Sequence, residues 1–234
     1  MALAVRDAHH KKIILTHGHS DHAESASSLS VVIDSEVWGP AGVECVSHVL
    51  ADGDEITTDD GNLIAVGTPG HTPEHLSFYW EAQRALFAGD HLLGKGDTTW
   101  VADYPGCISD YLNSIDRLRM LRLSVIYPAH GPPIENPTEA LSRFESHRLA
   151  RIQQVEEALE HHPSMATEEL VGFVYGDTLP TGMERAALKS LEALREHVQT
   201  LREACRVTCC ISTRRQGILG HDSTSSFHCR QRSG

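Results

Sequence analysis

Between Thr16 and His22 the chain reads THGHSDH, with three histidines and an aspartate directly after the apolar run Ile13-Ile14-Leu15. Three later stretches set out metal-competent side chains in a similar way: GHTPEH with His71 and His75, AGD with Asp90, and YPAHGP with His130. Neutral imidazoles and carboxylates are ligands suited to zinc, iron or manganese. Six histidines with two aspartates exceed what one four-coordinate ion uses, so two ions are implied.

Such residues work together only if the fold brings distant segments to one point. Each motif follows a strand-like run: Lys11 to Leu15, Asn62 to Thr68, Arg84 to Asp90 and Ser124 to His130. A strand ending in a tight, glycine-containing loop fixes its side chains at the sheet edge, where a metal site is built. Between these runs, Ala23 to Leu29 suits a helix start and the β-branched run Val31-Val32-Ile33 suits a strand. Leu50 to Ile56 reads as a turn entering an edge strand, and Leu76 to Trp80 as a further strand. Helical periodicity follows over Glu139 to Glu160. A capped helix start is expected at Thr167-Glu-Glu-Leu170, and a third amphipathic helix carries Ala187, Leu191, Leu194, Val198 and Leu201.

With 234 residues and 40% hydrophobic content, the chain has enough apolar side chains for one domain and a small appendage. Its net charge of −12 argues against bulk attraction to polyanions, and duplex DNA is not an expected partner. No run approaches the roughly 18 apolar residues of a membrane span, and MALAVRDAHHKK lacks the apolar block of a secretory signal. A cytoplasmic chain is expected, with a mitochondrial location open. The six cysteines do not space as a disulfide framework, which fits a reducing compartment. Cys205, Cys209, Cys210, His221, His228 and Cys229 lack the pair spacing of a zinc knot.

HxHxDH at His17, His19, Asp21 and His22, TPGHTPEH at His71, AGDH at Asp90 and PAHGP at His130 together resemble the metallo-β-lactamase superfamily in order and spacing. LADGDEI, DYLNSIDRL and FESHRLAR look more narrowly like its beta-lactamase-like protein 2 branch. The resemblance implies an αββα sandwich of the α/β (α+β) class, followed by a small helical, winged-helix-like appendage. It also implies one zinc on His17, His19 and His71, and a second on Asp21, His22 and His130, with Asp90 bridging; manganese or iron would suit the same ligands. Such a pair clamps a water between its ions, lowers that water's pKa and polarises the group it attacks, with Asp21 as catalytic carboxylate.

The expected domains are 1–138 for the metal-binding part, 139–204 for the helical region and 205–234 for a disordered tail rich in serine and arginine. Only about ten residues precede the HxHxDH strand, where the family places several strands and a helix, so an incomplete first sheet is expected. Three functions fit these readings. One is a dinuclear hydrolase of a small-molecule ester, thioester, amide or phosphodiester. Another, implied by the branch, is an endoribonuclease acting on single-stranded RNA, and the third is a truncated, non-catalytic product. His75 reads as a residue that supports the ligands or hydrogen-bonds its own loop, and His91 as a packing or solvent-facing residue. His147 reads as a helix histidine that either reaches the site mouth or is solvated, and Trp100 as a core or loop anchor with the pocket wall as the alternative.

Overall fold

The computed structural model describes residues 11–176 and 179–216, with side chains through Cys205. A compact unit carrying all four motifs ends at Val198, and a second unit begins at Gln199. Strand β1 (Ile13–Ile14) leads through α1 (Ser20–Ala23) and α2 (Ala26–Ile33) to β2 (Val37–Pro40) and β3 (His48–Leu50). These three strands form a parallel sheet in the order β1-β2-β3, with Ile13 beside Val37 and Trp38 beside His48.

The second sheet is built from β4 (Glu55–Thr58), β5 (Gly61–Gly67), β6 (Leu76–Trp80), β7 (Ala85–Gly89) and, after helix α3 (Cys107–Arg119), β8 (Val125–Pro128). Its pairs are antiparallel except β7 with β8, where the chain crosses over through α3. Side-chain alternation divides its faces. Ile56, Ala65, Leu76 and Phe78 pack with Leu50, Ile14 and Trp38 between the two sheets. Val66, Tyr79, Leu86 and Ala88 point the other way, onto a helical layer.

That layer comprises α3, α4 (Pro137–His161), α5 (Thr167–Tyr175) and the first part of α6 (Glu184–Gln216). Helix α3 turns Ile108, Tyr111, Ile115 and Leu118 inward at helical spacing. Asn136 caps α4 by accepting the Glu139 N–H, Pro137 opens the helix, and Leu141, Phe144, Ile152, Val155 and Leu159 form its buried stripe. Fully burying a side chain such as Phe144 contributes about 1.5–3 kcal/mol. On the far side, α2 covers the first sheet through Ala26, Leu15 and Val37. The order of layers is helix, sheet, sheet, helix.

Two local expectations are corrected. Val31-Val32-Ile33 ends helix α2 rather than forming a strand, and Val31 and Val32 face solvent. The strand comes at Val37, where the backbone pairs with β1, so tertiary pairing overrides β-branched propensity. Helix α5 begins at Thr167 as expected, but its cap is Ala166 rather than Thr167, and Glu169 accepts the Ala166 N–H. After β8 no named strand occurs among the described residues, so no wing accompanies the helices there. The backbone of α6 continues to Gln216, past the expected boundary at 204; extending a nucleated helix costs little. The rest of the tail, with His221, His228 and Cys229, lies outside the described residues. Among the described residues no helix is long and apolar enough to cross a membrane.

Candidate metal centre

The four loops meet at one end of the sandwich because backbone hydrogen bonds tie them together. The Thr16 carbonyl accepts the Leu76 N–H, which joins the HxHxDH loop to the start of β6. The Thr68 N–H donates to the His75 carbonyl and closes the second loop on itself. The Ala129 N–H donates to Gly89 O, and the Gly94 N–H to His130 O, which locks the His130 loop against the segment after β7. A Cβ on Gly94 would stand 2.1 Å from the Pro132 carbonyl oxygen, so only glycine permits that approach. Helix α1 begins right after His19, and the His22 and Ala23 N–H groups both donate to His19 O.

These ties bring seven side chains into two adjoining groups, His17, His19 and His71 in one and Asp21, His22, Asp90 and His130 in the other. In the first group, His19 Nδ1 lies 3.1 Å from His17 Nε2 and 2.9 Å from His71 Nε2. Nitrogens ligating one zinc tetrahedrally at about 2.0–2.1 Å stand roughly 3.3 Å apart, a similar spread. In the second, Asp21 Oδ2 is 3.2 Å from His130 Nε2 and 3.4 Å from His22 Nε2. Asp90 connects the groups: its Oδ2 is 3.4 Å from His22 Nε2 and 3.7 Å from His71 Nε2, and its Oδ1 is 3.5 Å from His130 Nε2.

The surrounding partners fix which nitrogens face inward. His71 Nδ1 donates to the Trp100 carbonyl at 2.8 Å, leaving Nε2 as a bare lone pair. Asp103 Oδ2 sits 3.3 Å from His19 Nε2, which turns His19 Nδ1 toward the other histidines. His19 Nδ1 and His71 Nε2, 2.9 Å apart, face each other at a distance that two nitrogens ligating one ion would keep. His22 Nε2 and Asp90 Oδ1 are also buried without a hydrogen-bond partner. Buried polar atoms without partners are costly, and a metal ion would satisfy both. The donor set therefore fits metal ions.

Electrostatics agrees. Burial, reinforced by the nearby His22, His71 and His19, pushes the His17 pKa down to about 3, and burial also lowers that of His71. Both imidazoles are neutral near pH 7, the ligating form. Burial alone would raise the Asp90 carboxyl, but His22, His130 and His71 outweigh it and hold it below the ordinary carboxylate range. Cys107 is fully buried and burial raises its thiol pKa, so it is not an activated nucleophile.

All seven residues singled out from the motifs thus come together. His75 stays out of both groups and hydrogen-bonds instead: its Nδ1 pairs with Thr68 Oγ1 at 2.8 Å, and its Nε2 accepts the Asp90 N–H. His91 is buried against Tyr111, as a packing residue would be. Trp100 and His147 line one cleft, of about 470 Å³, and a second of about 1040 Å³ opens beside His19, with Gly18, Val43 and Glu74 in its wall. Asp103, Thr99 and Thr68 escaped sequence reasoning. Asp103 follows Trp100 by three residues in an already suspect loop, but nothing local shows that it folds back onto His19.

A four-layer sandwich with histidines and aspartates gathered at its strand ends is an α/β fold carrying candidate metal-binding groups. The chain belongs to the metallo-beta-lactamase superfamily, whose family model matches residues 1–130. It is similar to the "Beta-lactamase-like protein 2 homolog" of Caenorhabditis elegans, with 31% identity over 81% of this chain and 65% of that protein. It is also similar to the "Atrochrysone carboxyl ACP thioesterase AgnL7" of Paecilomyces divaricatus, with 29% identity over 88% of this chain and 67% of the relative. The chain spans between half and two thirds of the length of the first curated relatives it matches, 50% and 65% for two of them. Among solved structures, a beta-lactamase domain protein from Burkholderia ambifaria superposes with a TM-score of 0.73 at 21% identity, covering 82% of this chain and 69% of the other, a likeness of fold.

Proposed function

We propose that the chain is a metal-dependent hydrolase of a small acyl substrate, an ester or thioester. One zinc would be held by His17, His19 and His71, a second by Asp21, His22 and His130, with Asp90 shared between them. The observation that carries this reading is the convergence of His17, His19 and His71, with His19 Nδ1 and His71 Nε2 2.9 Å apart, next to a second group of carboxylates and imidazoles. When bound, such ions supply Lewis acidity and a water acidified toward neutral pH.

The chain's own residues do the rest. Asp21 is more than half exposed at the open side of the cluster. Burial works against its ionisation, but His22, its own backbone N–H and His130 hold the carboxyl below the ordinary range, so it stays charged. It is placed to accept a hydrogen bond from the attacking water and to orient it. Asp103 and the Trp100 carbonyl hold His19 and His71 in position, and the cleft beside His19 gives room for an acyl group. Similarity to a thioesterase supports the thioester.

The test is hydrolysis by the zinc-loaded chain of an aryl ester, an acyl thioester and a single-stranded oligoribonucleotide, each repeated with chelator and with Asp90→Ala. Ester or thioester turnover that both treatments abolish is expected. Cleavage of the oligoribonucleotide alone would replace the substrate class, and no turnover of any probe would overturn the hydrolase reading.

A further inference from the structure

Helix α4 places a charge where its pattern calls for an apolar residue. The buried stripe runs Leu141, Phe144, Arg148, Ile152, Val155, Leu159, and Arg148 is only 3% exposed. Its Nη2 donates to Thr98 Oγ1 at 3.2 Å and to the Thr99 carbonyl at 3.1 Å, its guanidinium lies 5.3 Å from the centre of the Tyr111 ring, and its Nε has no partner. Every one of these contacts is neutral. Among the described residues no carboxylate pairs with it, and burial lowers its pKa from the ordinary guanidinium value. A buried cation without a counter-charge is costly to keep, which makes an anionic partner the simplest reason for it.

Arg148 does not stand alone. It lines the 470 Å³ cleft with Arg151, His147, Trp100, Tyr175 and Thr98, and the described lining contains no acidic residue. In a chain of net charge −12 that is a local reversal of sign. Arg151, one turn along α4, stacks over Tyr175 at 4.8 Å, which fixes its guanidinium plane. Asp97, whose charge acts on His147, is paired with Arg143 at 3.1 Å and is not part of the lining.

The cleft is also wired to the metal-binding histidines. Thr99 accepts from Arg148 with its carbonyl and donates its hydroxyl to Asp90 O at 2.6 Å. Trp100 lines the cleft with its side chain while its carbonyl holds His71. The Trp100 indole N–H donates to Asp103 Oδ1 at 2.6 Å, and the other oxygen of Asp103 lies beside His19. One thickness of chain, residues 98–100, therefore separates Arg148 from the ligand groups.

We propose that this cleft binds the non-reacting, anionic end of the substrate, a phosphate or carboxylate on a small molecule, through Arg148 and Arg151, while the scissile bond lies at the metal cluster. The proposal rests on the hydrolase reading for the second half of that sentence only; anion binding in the cleft stands independently. Guanidinium groups suit both oxyanions through paired N–H donors.

The test is calorimetric titration of the zinc-loaded chain with phenylphosphonate, phenylacetate and benzyl alcohol, none of which is hydrolysable, so the result does not depend on turnover. The same titrations are run on Arg148→Gln, Arg151→Gln and Arg151→Lys. Arg151 donates to Gln154 and the Val174 carbonyl and lies over Tyr175, away from the 98–100 segment. Binding at the metal cluster is therefore common to the parent chain and the two Arg151 variants, and their difference reports the cleft. Saturable binding of the phosphonate or the carboxylate is expected to weaken at least tenfold in each glutamine variant and to recover in part in Arg151→Lys, with benzyl alcohol binding negligibly. Preference for the phosphonate would point to a phosphorylated substrate, and preference for phenylacetate to an acid. If Arg148→Gln fails to fold, because it releases the 98–100 segment, Arg151→Gln decides. Equal affinity in Arg151→Gln and the parent chain would overturn the proposal. So would tight binding of a short single-stranded oligoribonucleotide with none of phenylphosphonate.

Discussion

The Nε2 of His75 accepts the backbone N–H of Asp90 at 3.3 Å, so a histidine outside both ligand groups fixes the carboxylate that joins them. Its Nδ1 must then carry the proton and donate to Thr68 Oγ1, which can pass its own hydrogen to Ser77 Oγ at 2.8 Å. This buried chain orients β7's end through hydrogen bonds alone.

Replacing His75 by Phe keeps the ring volume and removes the acceptor. Metal affinity is expected to fall about 10–100-fold, as for other residues that orient ligands, while the far-ultraviolet circular dichroism spectrum is retained. Competition against a chelating dye reads the affinity; an unchanged value would show that Asp90 is positioned without His75.

Gly89 precedes Asp90 with φ of +53°, and a Cβ there would sit 2.6 Å from His75 Nε2 and 2.8 Å from Thr16 Oγ1. Gly89→Ala combines left-handed strain with overlap in a packed interior, so a loss of about 2–4 kcal/mol is expected in denaturant unfolding. A loss below about 1 kcal/mol would mean that the loops part easily.

Elemental analysis of the purified chain should find roughly two metal equivalents, the number two adjoining sites take. Asp90→Ala should drop sharply below that. Because ligand binding to the native state adds stability, zinc at about 100 times its dissociation constant should add about 2.7 kcal/mol to the parent chain and much less to the variant. A melting temperature indifferent to zinc in the parent chain would count against a formed site.

Acid should unfold the chain through its buried neutral histidines. Burial lowers the His91 pKa to about 3, against 6.5 for the free side chain. Between these values the unfolded chain binds a proton that the folded chain refuses, so stability present above pH 6.5 is lost as the pH falls toward 3. The slope for this one group is up to about 1.4 kcal/mol per pH unit. His91→Phe should flatten the dependence by that share in metal-free chemical denaturation at pH 7 and pH 5; an unaltered slope would place a proton on His91 in the folded state.

The residues that converge in the two candidate groups were legible in the sequence because each motif is local. In HxHxDH the spacing itself puts His17, His19, Asp21 and His22 on one tight loop, and strand-like runs before His71, Asp90 and His130 announce their place at sheet ends. The strands β5 to β8, short apolar runs bounded by turn residues, were legible for the same reason. Val31 to Ile33 misled because propensity is a weak local preference and the pairing of Val37 with Ile13 is a long-range fact.

The sequence by itself determined which residues are competent to bind metal and that several strand ends deliver them. Tertiary structure alone decided their company: Asp103 against His19, the Trp100 carbonyl on His71, His75 beneath Asp90, and Arg148 in the stripe of α4 facing loop 98–100. The physical reason is separation along the chain. A hydrogen bond or a buried charge has its meaning from what lies opposite it, and here the opposite group is 15 to 84 residues away, as for His75 with Asp90 and His19 with Asp103.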